Sequence, residues 1–407
     1  MNGSISFLSR FLILFISLFF FHSVFAKTYN NHKDFKYAKE DFSPISRVWA
    51  GLEFMSMWEK YGPISTALVS QNFDYNSKAI LGEPGTSIIY GDGAGTNFDY
   101  GNISGGKLIL GVWLDDYCDY GLEFNGFWLE KEFTNYDTFG PGGQFPVVAI
   151  PFFDTISAAE SSSSILVDSG SSNYIDVNTS SQLWGADLNL IYNLSNAISY
   201  PVKTFIGFRF ISLNETLAIK NNYFDTTSIA PALSTLFYRD DLQTQNNFYG
   251  LQFGLSSKIL MNQGLTLEII GKLAIGENAE KIDVSGLTQS TNDAFGVTSQ
   301  TINSGIFSQQ CNSGSYTKNI FTVLPELQIK LGYLATNNVR PYISYDIIYM
   351  NNVVRPGDQL DRNINTTENP GLSGSTTITG QLSPGKPKFN NSSFWIQGAT
   401  IGFEILL

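Results

Sequence analysis

The side chains that could do chemistry are few and scattered. Asp168-Ser169-Gly170, within the run Leu166 to Asn173, could supply one half of an acid protease, where two carboxylates share a proton to activate water. No second Asp-Thr/Ser-Gly occurs in the chain, so the pair cannot form. Gly91 to Thr96 (Gly-Asp-Gly-Ala-Gly-Thr) has the glycines of a phosphate loop. It lacks the lysine that reaches the phosphates and the helical pattern that would present N–H groups to them. The only histidines are His22 and His32, so nothing after residue 32 offers imidazole as a general base or zinc ligand. Asp92, Asp99, Asp358 and Asp361 are oxygen donors suited to Ca²⁺, but without the spacing of a calcium loop they read as solvated acids. No enzyme, cofactor or metal is expected.

What remains is a set of charges at alternate positions of short segments. Lys107, Lys203, Arg209, Lys272, Lys330 and Arg340 stand against Glu53, Glu123, Asp187, Glu268, Glu326, Asp346 and Glu404. Six cations and seven anions on one set of faces can line a path for ions, or they can pair with one another and fill the space they share.

The elements that must carry them are strands. Ten segments alternate with period two and are rich in aromatic, branched and glycine residues: 47–58, 105–114, 120–129, 182–194, 202–213, 248–257, 265–276, 320–334, 339–350 and 394–407. In 182–194, Trp184, Leu188, Leu190 and Tyr192 share one face, with Gly185, Asp187 and Asn189 on the other. In 320–334, Val323, Leu327, Ile329, Leu331 and Tyr333 oppose Glu326, Gln328, Lys330 and Gly332. In 47–58, Trp49, Met55 and Met57 fall on the row of Glu53, and a bulge or partial packing is expected there.

Connections sort by length. Four short turns (115–119, 195–201, 258–264, 335–338) alternate with five long segments (59–104, 130–181, 214–247, 277–319, 351–393), whose Ser, Thr, Asn and Gly content reads as solvated surface. Short turns on one side and long loops on the other are the plan of an outer-membrane barrel: all-β, antiparallel, up-and-down, about ten strands within a range of eight to twelve, with short periplasmic turns and long extracellular loops. Tyr120 to Trp128 and Trp184 to Tyr192 each span eight residues, roughly 20 Å of height on tilted strands, close to the apolar band between aromatic girdles. Cys118 and Cys311 then fall on opposite sides of the membrane, and no disulfide joins them.

Composition agrees. Of 407 residues only 15% are charged while 14% are aromatic, and 37 glycines outnumber 14 prolines. With 24 basic and 36 acidic residues the formal charge is -12, which excludes nucleic acid as a partner. Residues 1–26 read as a signal peptide, with an apolar core and cleavage between Ala26 and Lys27. Residues 27–45 form a polar segment and 46–407 the barrel.

Several runs are similar to one family. Gly82-Glu83-Pro84-Gly85, Gly105-Gly106 with Leu110-Gly111 and Trp113-Leu114, Gly121-Leu122-Glu123, Pro151-Phe152-Phe153, Leu183-Trp184-Gly185-Ala186 with Asn189, Gly207-Phe208-Arg209 and the Gly250 to Gly254 segment appear in order. The chain resembles beta-barrel porin family 7 of Gram-negative bacteria. That resemblance implies an outer-membrane barrel and a pore, with no catalytic residues to carry over. The last strand, with polar Thr400 and Gly402 followed by hydrophobic Ile405 and Leu407, resembles the signal read by the barrel-assembly machinery, although Leu407 replaces the usual terminal aromatic.

Two functions follow as expectations. One is a porin or narrow channel for ions or small solutes. The other is a closed, side-chain-filled barrel whose long loops engage lipopolysaccharide, surface proteins or a host. Outer-membrane lipid and lipopolysaccharide are the expected surroundings.

Overall fold

The structure is a computed structural model that describes residues 47–74, 76–138, 146–166, 173–195, 201–225, 234–261, 264–292, 298–336, 338–374 and 376–407. His22, Ala26, Lys27, His32 and Asp168 lie outside them. In chain order the strands are β1 (Val48–Glu59), β2 (Ala67–Asn72), β3 (Ser87–Gly91), β4 (Ile103–Trp113), β5 (Tyr120–Leu129), β6 (Glu132–Asp137), β7 (Val147–Asp154), β8 (Ala159–Leu166) and β9 (Tyr174–Ser195). They continue as β10 (Val202–Asp225), β11 (Ser234–Leu260), β12 (Leu265–Asn292), β13 (Thr298–Ile302), β14 (Gly314–Tyr333), β15 (Val339–Val354), β16 (Asn363–Ile364) and β17 (Asn391–Leu406).

Ten of these close a ring in the order β1-β4-β5-β9-β10-β11-β12-β14-β15-β17, every neighbouring pair antiparallel. Closure leaves the barrel without a free edge at membrane depth, where an unpaired backbone group would find no water. Pairing followed from Trp184 through β10, β11 and β12 arrives at Asn319 of β14. Followed the other way through β5, β4, β1, β17 and β15, it arrives at Leu331. From 319 to 331 is a stagger of twelve residues, which in a ten-stranded ring tilts the strands by about 40°.

The outward row is apolar and ends in aromatics. Trp58, Trp128 and Trp184 are exposed near one rim, Tyr120 and Tyr192 near the other, and Leu122, Phe124, Leu188 and Leu190 lie between. Trp128 faces Trp184 directly, and Tyr120 faces Tyr192 with ring centroids 5.1 Å apart. In β1 the register runs from Trp49 to Glu59 without interruption, so the expected bulge is not present. Trp49, Met55 and Met57 turn inward with Glu53, while Val48, Leu52, Phe54 and Trp58 face out. Gly111 makes room for this: a Cβ there would meet the Trp49 ring at 1.9 Å.

The turn after β4 is built by one side chain. The Asp115 carboxylate accepts from the backbone N–H of Tyr117, Asp119 and Tyr120 at 2.8–3.1 Å, and those donors hold its pKa below the ordinary value. Cys118, in the left-handed region at φ 57°, completes the turn. Both cysteines are free thiols.

The long loops differ from the solvated surface expected of them. β10, β11, β12 and β14 run well past the apolar band as paired ladders of Thr, Asn, Gln and Ser, because water tolerates a polar ladder as readily as lipid tolerates an apolar one. From the first, second and fifth long loops, β2, β3, β7, β8 and β16 form a separate five-stranded sheet. Its Leu68, Val69, Val148, Ile150, Phe152 and Ile165 pack in one continuous apolar core with Met57, Ile103, Leu183, Ile211, Phe248 and Phe394 of the barrel. The loops therefore cap the extracellular mouth.

Candidate functional site: the charged interior

The thirteen charged residues of the alternating rows come from all ten barrel strands except β11, and ten of them are in ion pairs. Near the periplasmic end, Arg340 of β15 holds Glu268 of β12 at 2.9 Å and Glu404 of β17 at 2.6 Å, and the Ser256 hydroxyl donates to Glu268 at 2.9 Å. Beside them the Lys203 ammonium lies 5.3 Å from the centre of the Trp113 ring and 5.9 Å from that of Trp49. Trp49 donates its indole N–H to Glu123 at 3.2 Å.

Higher up, Glu53 of β1 sits between two lysines, with Lys330 Nζ at 2.9 Å and Lys107 Nζ at 3.6 Å, and accepts from the Tyr342 hydroxyl at 2.6 Å. Arg209 of β10 pairs with Glu326 of β14 and donates to Gln252 at 3.0 Å. Gln252 donates in turn to Asn189 at 2.8 Å. Asp187 of β9 takes Lys272 of β12 at 3.5 Å and the Asn125 amide at 2.9 Å. Among the described residues Asp346 forms no ion pair, and it accepts instead from the hydroxyls of Ser344 (2.9 Å) and Thr400 (2.7 Å).

Three of these ion pairs join strands well apart on the ring. Two strands lie between β10 and β14, between β9 and β12, and between β14 and β1. The pairs Arg209–Glu326, Lys272–Asp187 and Lys330–Glu53 therefore reach across the lumen rather than along its wall. Taking such charges out of water is expensive, and their mutual pairing offsets part of that cost.

Sequence alternation did not point to a further cluster above this network. Arg355, just beyond β15, is fully buried and bonds to Glu215 and Glu59, themselves buried at the ends of the apolar bands of β10 and β1. The signal available was only an arginine inside an otherwise neutral stretch, Asn351 to Pro356. Thr400 and Gly402 of the final strand face inward, while Ile405 and Leu407 continue the outward row of Ile401 and Phe403.

Apart from Asp168 to Gly170, outside the described residues, the motifs set aside as unproductive are not brought together. Gly91 to Thr96 forms a tight turn after β3, closed by a 2.7 Å bond from the Gly91 N–H to the Thr96 hydroxyl. Asp92 and Asp99 sit in the first long loop and Asp358 and Asp361 in the fifth. Among the described residues no three His, Cys, Asp or Glu converge as a metal site.

Several solved structures are similar to the chain. The outer membrane protease OmpT of Escherichia coli is 10% identical, with 90% of this chain and 98% of that one covered at a TM-score of 0.38. The CymD monoaromatic hydrocarbon channel (8% identity, 89% of each chain, TM-score 0.20) and a Pseudomonas aeruginosa FadL homologue (8% identity, 88% and 90%, TM-score 0.20) are also similar. No curated protein matches the sequence. The family described as Putative beta barrel porin-7 matches residues 49–406, from the first barrel strand to the last, and the chain belongs to this family of outer-membrane β-barrels.

Proposed function

We propose that the protein is a narrow channel for ions or small solutes whose lumen is shut at rest by its own side chains. The observation that carries this is the cross-lumen pairing of Arg209–Glu326, Lys272–Asp187 and Lys330–Glu53. A barrel needed only as a scaffold gains more stability from an apolar filling than from buried ion pairs, so a charged interior argues for traffic of charged or polar species. Residues 1–26 direct export with cleavage between Ala26 and Lys27. Thr400, Gly402, Ile405 and Leu407 present the last strand to the barrel-assembly machinery, and the girdles sit among lipid and lipopolysaccharide.

A second reading rests on the five-stranded extracellular sheet, which is more structure than a pore rim requires and suits a surface-binding role. Recordings of the purified chain in planar bilayers separate the two. The channel reading expects long closed periods broken by small, brief steps. Silence at every voltage supports the surface role, and a large steady current contradicts the closed lumen.

A further inference from the structure

Arg355 does not bond along its own strand. On the ring, three strands separate β15 from β10 by the shorter path, and three separate β10 from β1. Yet this one guanidinium touches both β10 and β1. Its Nε donates to the two Glu215 carboxylate oxygens at 3.1 and 2.9 Å, and Nη2 donates to Glu215 at 2.5 Å. Nη1 donates to the carbonyls of Lys60 and Tyr61, just past β1, at 2.9 Å each, and Nη2 lies 3.5 Å from Glu59. A group in contact with opposite walls at once stands over the lumen.

Its surroundings hold it there. The Asn246 side chain of β11 clasps the preceding residue, donating to the Val354 carbonyl and accepting from its N–H, both at 2.8 Å. The Ser181 hydroxyl donates to Glu59 at 3.0 Å, and the Phe394 ring lies 5.5 Å from the guanidinium carbon. Arg355 is 0% exposed, Glu59 6% and Glu215 1%. Burial pushes the Glu59 pKa up to about 8, so in the closed mouth the charge of the cluster rests on Arg355 and Glu215.

Resting on the channel reading, we propose that Arg355 is the gate of the extracellular mouth and that Glu59 and Glu215, once it withdraws, make the open path selective for cations. A mouth meant only to stay shut is closed more stably by apolar side chains than by a buried ion triad. A charged contact at the axis can be exchanged for contact with water or a passing ion. Two carboxylates facing each other across the opening then act as the acidic ring of a cation path.

The test uses the full chain in a Cys118→Ser/Cys311→Ser background carrying Met57→Cys, an inward position two residues below Glu59 and wholly buried. An impermeant thiosulfonate is applied from outside to protein that keeps heat-modifiable migration. Adding Arg355→Gln is expected to speed modification at Met57→Cys at least about tenfold by populating the open mouth. In bilayers Arg355→Gln is expected to conduct where the parent is shut, with a reversal potential on the cation side in a KCl gradient. Glu59→Gln with Glu215→Gln is expected to bring that potential back toward zero. Should Arg355→Gln not fold, Arg355→Met with both Gln substitutions neutralises all three groups and serves the labelling arm. Protection of Met57→Cys in a folded Arg355 variant overturns the gate, as does anion selectivity. Fast labelling without current in any variant supports the gate and overturns the channel reading.

Discussion

Three backbone N–H groups, from Ile306, Phe307 and Ser308, point at the Asp240 carboxylate at 3.1, 2.9 and 2.6 Å. Asp240 stands on the part of β11 that projects beyond the membrane, and complete burial pushes its pKa up to about 6 in spite of those donors. Arg239 and Asp241 on either side of it pair with each other. Between the unfolded value near 3.8 and about 6, the folded chain holds a proton that the unfolded chain has lost. This group's contribution is therefore greatest below the unfolded pKa and falls as pH rises through the folded one. Glu280, also beyond the membrane and raised to about 7 chiefly by burial, acts in the same direction. Asp240→Asn keeps an acceptor for two of the three N–H groups, so thermal melts of the variant from pH 4 to 7 should show a smaller loss of stability with rising pH than the parent. An unchanged slope contradicts this assignment. At this scale the thirteen charges stood out in the sequence, because each alternates with apolar neighbours along its segment. Arg355 and Asp240 lie where no such apolar row marks them, and their partners come from distant parts of the chain.

At the level of elements, the apolar alternation marks where a strand meets lipid, not where its ladder ends. All ten barrel strands were legible for that reason, while the extensions of β9, β10, β11, β12 and β14 were not. Their polar residues pair as regularly as the apolar ones below but repeat without hydrophobic contrast. The cap sheet did carry a signal in Val147 to Phe153, a nearly continuous apolar run, and it is buried as such a run should be. Strand β14 offers a test of where lipid stops. Ile329→Arg, on its lipid face, should cost about 2 to 4 kcal/mol of unfolding free energy in vesicles. Thr317→Arg, exposed on the same strand beyond the aromatic rim, should change stability by less than about 0.5 kcal/mol. Equal penalties at the two positions would mean that the membrane does not end between them.

The whole molecule is arranged in strata: an apolar skin with aromatic rims, a charged interior bridged between distant strands, a buried ion triad at the mouth, and an apolar cap. Turn and loop lengths marked the end that carries the long loops, but the cap they build depends on contacts among three loops far apart in sequence, which local pattern cannot report. The apolar row meets lipid while the polar row, with Trp49 among it, is enclosed. Fluorescence quenching by brominated phospholipid addresses this directly, in chains with tryptophan kept at one position and replaced by Phe elsewhere. Trp184 and Trp128 should be strongly quenched and Trp49, stacked beside Lys203 inside the barrel, hardly at all. Quenching of Trp49 equal to that of Trp184 would mean that the two rows are not divided between lipid and lumen.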